Sequence, residues 1–308
     1  MGDYLILISG LAAAAIGGEL FVRGAVGLAK WARVPAGIIA ATIAAFATSS
    51  PELAVSVGSA LEGTPQIALG DALGSNVVNI AVILSVALAF SAINAPKDSV
   101  KRDFPVALLA PILTGLLLID GEISRLDGAV MLLVFVAWIV AVVIEVRKQR
   151  ASFAHLPETK GKTIIVLSAV GGLVSLVLAG HLIVTGAKSI ALSYGLDAFV
   201  VGATVVAIGT SMPELATVII SKLRGHEEIG LGMILGSNIF NNLWIVSVAA
   251  LITPMTGLPV GEVAVGLGFG VVTVALTFPG RDGVIGRTRG LILFALYLAY
   301  VITILGYR

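Results

Sequence analysis

The chain has 308 residues, of which 58% are hydrophobic and 12% charged, with a formal net charge of +1 and a mean hydropathy of +1.06. A soluble domain carries about 25% charged residues, so this composition excludes an ordinary water-soluble fold, and no nucleic-acid partner is expected. The absence of cysteine removes disulfides, thiolate metal sites and thiol redox chemistry, and the three histidines (His155, His181 and His226) lack metal-ligand spacing.

Apolar runs long enough to cross a bilayer recur along the whole chain. The first is expected to be a mature helix rather than a signal peptide. Its leading residues have no basic stretch, and Ile6 stands where a myristoylation signal needs Ser or Thr. Ten spans are predicted, at roughly 3–29, 36–61, 67–91, 103–120, 126–147, 164–192, 198–222, 228–252, 260–278 and 288–306. Turn formers and charges fill the breaks, as between Asn94 and Asp98 and between Pro279 and Gly283.

The second span is interrupted at its middle by Thr48, Ser49, Ser50, Pro51 and Glu52. The seventh repeats this as Thr210, Ser211, Met212, Pro213 and Glu214, displaced by 162 residues. The same offset matches Gly18 with Gly180, Gly24 with Gly186, Gly63 with Gly225, Asn79 with Asn241, and Arg125 with Arg287. It also carries Gly74, Ser75 and Asn76 onto Gly236, Ser237 and Asn238. The chain is therefore expected to comprise a first repeat, 1–148, a linker, 149–162, and a second repeat, 163–308. An odd number of spans per repeat puts the second one into the bilayer upside down, as in secondary transporters. With the N-terminus outside, 15 of the 19 Lys and Arg fall on the cytoplasmic side, which predicts two extracellular termini. The fold expected is an all-α polytopic membrane protein of ten helices in two inverted five-helix repeats.

A buried carboxylate beside a helix-breaking proline is costly in a membrane, and two in duplicated contexts point to function. Pro51 removes a backbone donor and clashes with the Ala47 carbonyl, and Pro213 does the same to Gly209. Carbonyls freed in this way need partners, and a cation is one. Thr48 and Ser49 lie four and three residues before Glu52, a spacing that lets them share its helical face; Thr210, Ser211 and Glu214 repeat the arrangement. Ser75 and Asn79 share one face of the third span, and Ser237 and Asn241 one face of the eighth, although helix–helix hydrogen bonding explains these pairs equally well. Carboxylate, hydroxyl, amide and carbonyl oxygens favour a hard cation such as Ca²⁺ or Na⁺. The charge of two glutamates is neutralised by one Ca²⁺ or two Na⁺, so competition for them is a basis for exchange.

The segments 37–86 and 199–248 resemble the α1 and α2 repeats of the cation/Ca²⁺ antiporter superfamily, most closely its Na⁺/Ca²⁺ exchanger branch with the short prokaryotic members. The resemblance covers all ten spans. It implies a central Ca²⁺ site at Glu52 and Glu214 with the backbone carbonyls of Thr48 and Thr210. It further implies Na⁺ sites that add Ala45, Ser49, Ser75 and Asn79, and their equivalents Ala207, Ser211, Ser237 and Asn241. It also implies electrogenic exchange of several Na⁺ for each Ca²⁺ expelled, by alternating access in which the first and sixth spans slide.

Three positions depart from the family pattern. Ala47 replaces the usual glycine, which stiffens that half of the site. Asn241 stands where potassium-dependent relatives have Asp, which argues against K⁺ transport. Asp71, with Met233 as its counterpart, is acidic where Asn is usual. It is either an accessory attractor of cations near the outer mouth or, the favoured reading, the partner of a helix N-terminus. Glu19 and Arg23 are spaced to compensate each other, in a position that also suits a gate; His181 reads as a packed polar residue.

The function expected is an antiporter of the cell membrane that expels Ca²⁺ in exchange for Na⁺ and works as a monomer in lipid, with no resident cofactor. The alternative is an H⁺/Ca²⁺ antiporter with the same fold and site, since H⁺ competes for close carboxylates. Proton-coupled relatives place a Glu in the second motif, where this chain has Ser75-Asn76 and Ser237-Asn238, which weighs against it. An intramembrane enzyme lacks its constellation of residues, and a single buried site suits alternating access better than a channel.

Overall fold

The computed structural model describes residues 2–32, 34–61, 63–150, 161–192 and 202–306. Helix α1 (Gly2–Ala32) leads into a broken segment made of α2 (Ala36–Ile39), a π-helical turn (Ala40–Ala44), α3 (Ala45–Thr48) and α4 (Ser50–Leu61). The next segment joins α5 (Pro65–Val78), a π-helical turn (Asn79–Leu84) and α6 (Ser85–Phe90). Then follow α7 (Lys97–Leu117), α8 (Arg125–Arg150) and α9 (Lys162–Leu192).

The same sequence of forms returns. A π-helical turn (Gly202–Val206) precedes α10 (Ala207–Thr210) and α11 (Met212–Leu223). Another (Phe240–Ile245) separates α12 (Glu227–Ile239) from α13 (Val246–Ile252), and α14 (Val260–Leu276) and α15 (Arg287–Gly306) follow. The tight corners between α4 and α5 and between α11 and α12 turn at Gly63 (φ 74°) and Gly225 (φ 73°), a backbone conformation that costs glycine little.

Where the residues are described, the ranges expected for the spans coincide with helical runs, with one displaced boundary. The fourth was expected from 103, but α7 begins at Lys97, just after Pro96. The charges that suggested a loop are accommodated in its first turns: Arg102 pairs with the fully buried Asp103 at 2.7 Å, and Trp138 Nε1 donates to Asp103 at 3.2 Å. The linker 149–162 and the first residues of the seventh span lie largely outside the described residues.

Burial is inverted relative to a soluble protein. Six helical runs among the described residues are long and apolar enough to cross a membrane: Pro65–Phe90, Lys97–Asp120, Arg125–Lys148, Lys162–Ala179, Glu227–Ile252 and Arg287–Gly306. The runs through α5–α6 and α12–α13 are mostly buried, 78% and 83%, whereas the one through α8 is 22% buried. The outward faces carry Leu126, Leu133, Ile164, Leu291 and Ile302, each about 70% exposed or more. Large apolar side chains face outward while Glu52, Asp71, Glu214 and a set of Ser, Thr and Asn side chains are buried within the apolar core, which is the arrangement of a multi-pass membrane protein.

Contacts between the halves come in exchangeable pairs. Strand β1 (Ile93–Asn94) pairs antiparallel with β2 (Val284–Ile285), placing Ile93 opposite Ile285, and Ile123 bridges Met255. A shift of 162 residues turns the first pairing into the second. Arg125 donates to the Leu251 and Ile252 carbonyls, and Arg287 to the Ala89 carbonyl. A Cβ at Gly74 would collide with the Ala203 backbone, and one at Gly236 with the Ala41 backbone. These two glycines let α5 and α12 lie directly against the π-helical turns of the opposite half, a close approach available to small residues only.

Candidate cation site

Both broken helices fail at a serine. Ser49 (φ −81°, ψ 11°) ends α3 and Ser211 (φ −80°, ψ 5°) ends α10, with Pro51 and Pro213 in the first turns that follow. Glu52 and Glu214 sit in those first turns, where a helix N-terminus favours negative charge. Both are almost wholly inaccessible, at 1% and 0%. The π-helical turns lie just ahead of each break and just beyond Ser75 and Ser237. Such turns are rare and concentrate at functional sites.

Thr48, Ser49, Ser75, Asn79, Thr210, Ser211, Ser237, Asn241, Ala45 and Ala207 are all buried in this same central region. Their bonds differ from those the helical spacing suggested. Ser49 does not serve Glu52 on its own strand of chain; it donates across the interface to Glu214 Oε1 at 3.4 Å. Ser237 donates to the same oxygen at 3.2 Å. Thr48 turns its hydroxyl back to the Ala44 carbonyl at 3.1 Å. The break at Ser49 interrupts the 3.6-residue register, so residues counted onto one face are delivered to two.

The proline at 51 also behaves differently from its twin. The Ala47 carbonyl is taken by Ser50 Oγ at 2.7 Å, so that carbonyl is already capped from within the chain. In the second half the equivalent of Ser50 is Met212, and Gly209 has no such hydroxyl beside it. Ala207, by contrast, draws three hydrogen bonds: the Ser211 amide at 3.2 Å, Thr210 Oγ1 at 3.3 Å and Ser75 Oγ at 3.4 Å.

Asn76 and Asn238, which recur in the repeated triplets outside the expected ligand set, form a bridge between the halves. Asn79 Nδ2 donates to Asn238 Oδ1 at 3.0 Å, and Asn238 Nδ2 donates to the Asn76 carbonyl at 3.1 Å. Their recurrence at the common offset was the signal. Asp71 is not at a helix N-terminus: it lies well inside α5, fully buried, and its Oδ1 accepts from Thr210 Oγ1 at 3.1 Å. Glu19 pairs with Arg23 at 2.7 Å, as its spacing implied, and also with Arg224 at 2.5 Å.

Buried polar atoms without a hydrogen-bond partner are few in most proteins and call for an explanation. Among the described residues they include atoms of Ser56, Asn76, Arg102, Asn242 and Trp244, and eight on the expected site residues: both carboxylate oxygens of Glu52, Oε2 of Glu214, Oδ2 of Asp71, Ser211 Oγ, Asn79 Oδ1 and the oxygen and nitrogen of the Asn241 amide. Almost all of the latter can accept, and an oxygen-rich, sulfur-free set of acceptors suits a hard cation. Among the described residues no three His, Cys, Asp or Glu side chains converge into a single metal cluster. Glu52 nevertheless feels the charges of both Glu214 and Asp71. The third acid therefore stands beside the glutamate pair rather than within a common ligand set.

Comparison with known proteins gives the family of the chain. The sodium/calcium exchanger protein family matches residues 3–144 and again 164–306, and the chain belongs to that family. It is 33% identical over 258 residues to the inner membrane protein YrbG of Escherichia coli, covering 81% of this chain and 79% of the relative. It is 27% identical over 346 residues to the sodium/calcium exchanger MaX1 of Methanosarcina acetivorans, covering 98% of both. The solved structure of the sodium-calcium exchanger NCX_Mj superposes with a TM-score of 0.82 at 28% identity, over 97% of each chain. The protein is thus a multi-pass membrane transporter of the exchanger class, not an enzyme.

Proposed function

We propose that the protein is a secondary antiporter that expels Ca²⁺ across the cell membrane in exchange for Na⁺, by alternating access and with net charge movement. The observation that carries this reading is the gathering of unpartnered, buried oxygens around Glu52 and Glu214 where two helices break. Leaving so many acceptors unsatisfied in a dry interior is costly, and a bound cation removes that cost. Ca²⁺ takes the two carboxylates with the Thr48 and Thr210 carbonyls. Na⁺ is held by Ser49, Ser75, Asn79 and the Ala45 carbonyl, and by Ser211, Ser237, Asn241 and the Ala207 carbonyl. Because the two ions draw on the same glutamates, occupancy by one excludes the other, which is the requirement for exchange.

In this proposal residues 1–148 and 163–308 are inverted repeats of five spans each, joined by 149–162, with both termini outside and the site between the repeats. The separate family match to each half supports it, as do the contacts that exchange under the 162-residue shift. The bundle surrounds its own site, so one chain suffices as the transporting unit.

The test is Ca²⁺ uptake into proteoliposomes loaded with Na⁺, beside Na⁺-free vesicles and vesicles with an imposed pH gradient. Uptake that requires the outward Na⁺ gradient, and is lost in Glu52→Gln and Glu214→Gln, is the expected result. Uptake driven by the pH gradient alone would instead assign proton coupling, and uptake indifferent to both gradients would sink the exchanger reading.

A further inference from the structure

Helix α15 supplies none of the expected site residues, yet it reaches the second broken helix through one hydroxyl. Tyr300 is fully buried, at 0% exposure, on a run that is otherwise only 28% buried. Its hydroxyl donates to the Ala203 carbonyl at 3.2 Å. Ala203 belongs to the π-helical turn Gly202–Val206, and its backbone is the one that Gly74 of α5 presses against. The rings of Phe269 and Tyr297 pack on Tyr300, with centroids 5.5 and 6.2 Å away, and fix its direction.

A buried phenol needs an acceptor for its proton, and in the first half the matching ring finds a different one. Under the 162-residue shift Tyr300 falls on Trp138 and Ala203 on Ala41. Trp138 has a single N–H to give. It gives it to Asp103 of α7 at 3.2 Å, so the Ala41 carbonyl receives nothing from it. Matching rings thus serve an ion pair in the first half and a broken helix in the second.

The π-helical turn decides where the next residues point. Such a turn holds one residue more than an α-turn, and one residue along a helix is about 100° of rotation. Relaxing Gly202–Val206 to α geometry would therefore turn the stretch between it and the break at Ser211 by about that angle. That stretch is α10. It carries the Ala207 carbonyl, on which three hydrogen bonds converge, and Thr210, whose hydroxyl lies 3.1 Å from Asp71 Oδ1.

Resting on the cation site proposed above, we propose that Tyr300 is a positioning residue for it. By holding the Ala203 carbonyl, its hydroxyl keeps the π-helical turn of the second broken helix in register and so aims α10 at the site. Tyr300 touches no ion in this account. The first broken helix receives no such hold from Trp138.

The test removes the hydroxyl and keeps the ring, as Tyr300→Phe. Tyr297→Phe is the control: it removes the same group one turn away, where the first half already has Phe135. Amide hydrogen exchange of the purified full chain, free of Ca²⁺, reads the turn itself. In Tyr300→Phe the amides of 203–210 are expected to exchange about two- to tenfold faster than in the wild type, the range set by one hydrogen bond. Those of 41–48 stay unchanged, and Tyr297→Phe alters neither stretch. Transport in proteoliposomes reads the aim. The Na⁺ concentration giving half-maximal Ca²⁺ transport is expected to rise in Tyr300→Phe by about the same factor, with the maximal rate nearly kept. A mere loss of folded protein would lower the maximal rate instead.

Unchanged hydrogen exchange across 203–210, an equal acceleration across 41–48, an unchanged Na⁺ half-saturation, or the same effects from Tyr297→Phe each overturns the proposal. Should Tyr300→Phe not fold, the wild type decides: 203–206 is expected to exchange more slowly than 41–44, and the reverse order overturns it. If the wild type shows no Na⁺-dependent uptake, the exchanger reading fails, and the hydrogen-exchange rates still judge whether Tyr300 holds the turn.

Discussion

Glu52 and Glu214 occupy matching positions and are surrounded differently. Glu214 receives hydroxyl donors from Ser49 and Ser237. Neither oxygen of Glu52 has a donor, and Ser211, the counterpart of Ser49, is itself without a partner. The two acids share the sequence Thr-Ser-x-Pro-Glu-Leu-Ala, but their surroundings differ at Ala47 and Gly209, at Ser50 and Met212, and at Asp71, which accepts from Thr210 and stands where the other half has Met233. Glu214 is thus the better hydrogen-bonded of the two carboxylates.

The comparison is broken most severely by removing either acid. Glu52→Gln and Glu214→Gln are each expected to lower Na⁺-driven Ca²⁺ uptake by more than about a hundredfold, since losing only a hydrogen-bond partner of a metal ligand costs about 10–100-fold in affinity. The next effect separates the halves. Ser237→Ala is expected to weaken apparent Ca²⁺ affinity about tenfold, as befits a hydrogen bond to a charged group, and Ser75→Ala by less than about threefold. Competition of unlabelled against radioactive Ca²⁺ measures both, and equal effects would contradict the asymmetry.

Where the halves match, matched mutations should agree. Gly74→Ala and Gly236→Ala each push a methyl group into the facing backbone and are expected to destabilise by about 1–3 kcal/mol, read as similar drops in Tm in detergent. Smallest are Arg125→Ala and Arg287→Ala, which release exposed side chains from the carbonyls ending α13 and α6. Each is expected to cost about 0.3–1 kcal/mol, with uptake retained; a loss confined to one of them would mean that the pairing is not equivalent.

Much of this was legible from the residues alone. The hydrophobic runs placed the helices, and the paired Pro51–Glu52 and Pro213–Glu214 steps placed the breaks, because a proline in an apolar helix has a local consequence that needs no tertiary context. The π-helical turns at Ala40–Ala44 and Gly202–Val206 were not legible; they lie where Gly236 and Gly74 press against the facing backbone, a contact between distant parts of the chain. Nor was the direction of the Ser49 hydroxyl, since counting residues along a helix fails across a break. Asp71 was noticed as an acid out of pattern and assigned to a helix end. Only the fold shows that it sits inside α5, opposite Thr210.

The miniature strands carry a consequence for how the molecule is made. Ile93 pairs with Ile285 and Ile123 with Met255, so every strand edge of the first half finds its partner in a stretch of chain synthesised later. A first half emerging alone holds open edges and a glutamate whose surroundings are incomplete, and it has no way to close either by itself. Biogenesis is therefore a waiting process: the early helices must be kept from wrong partners in the bilayer until the late ones arrive. A chain that stops near the middle is an orphan for quality control, not a small transporter.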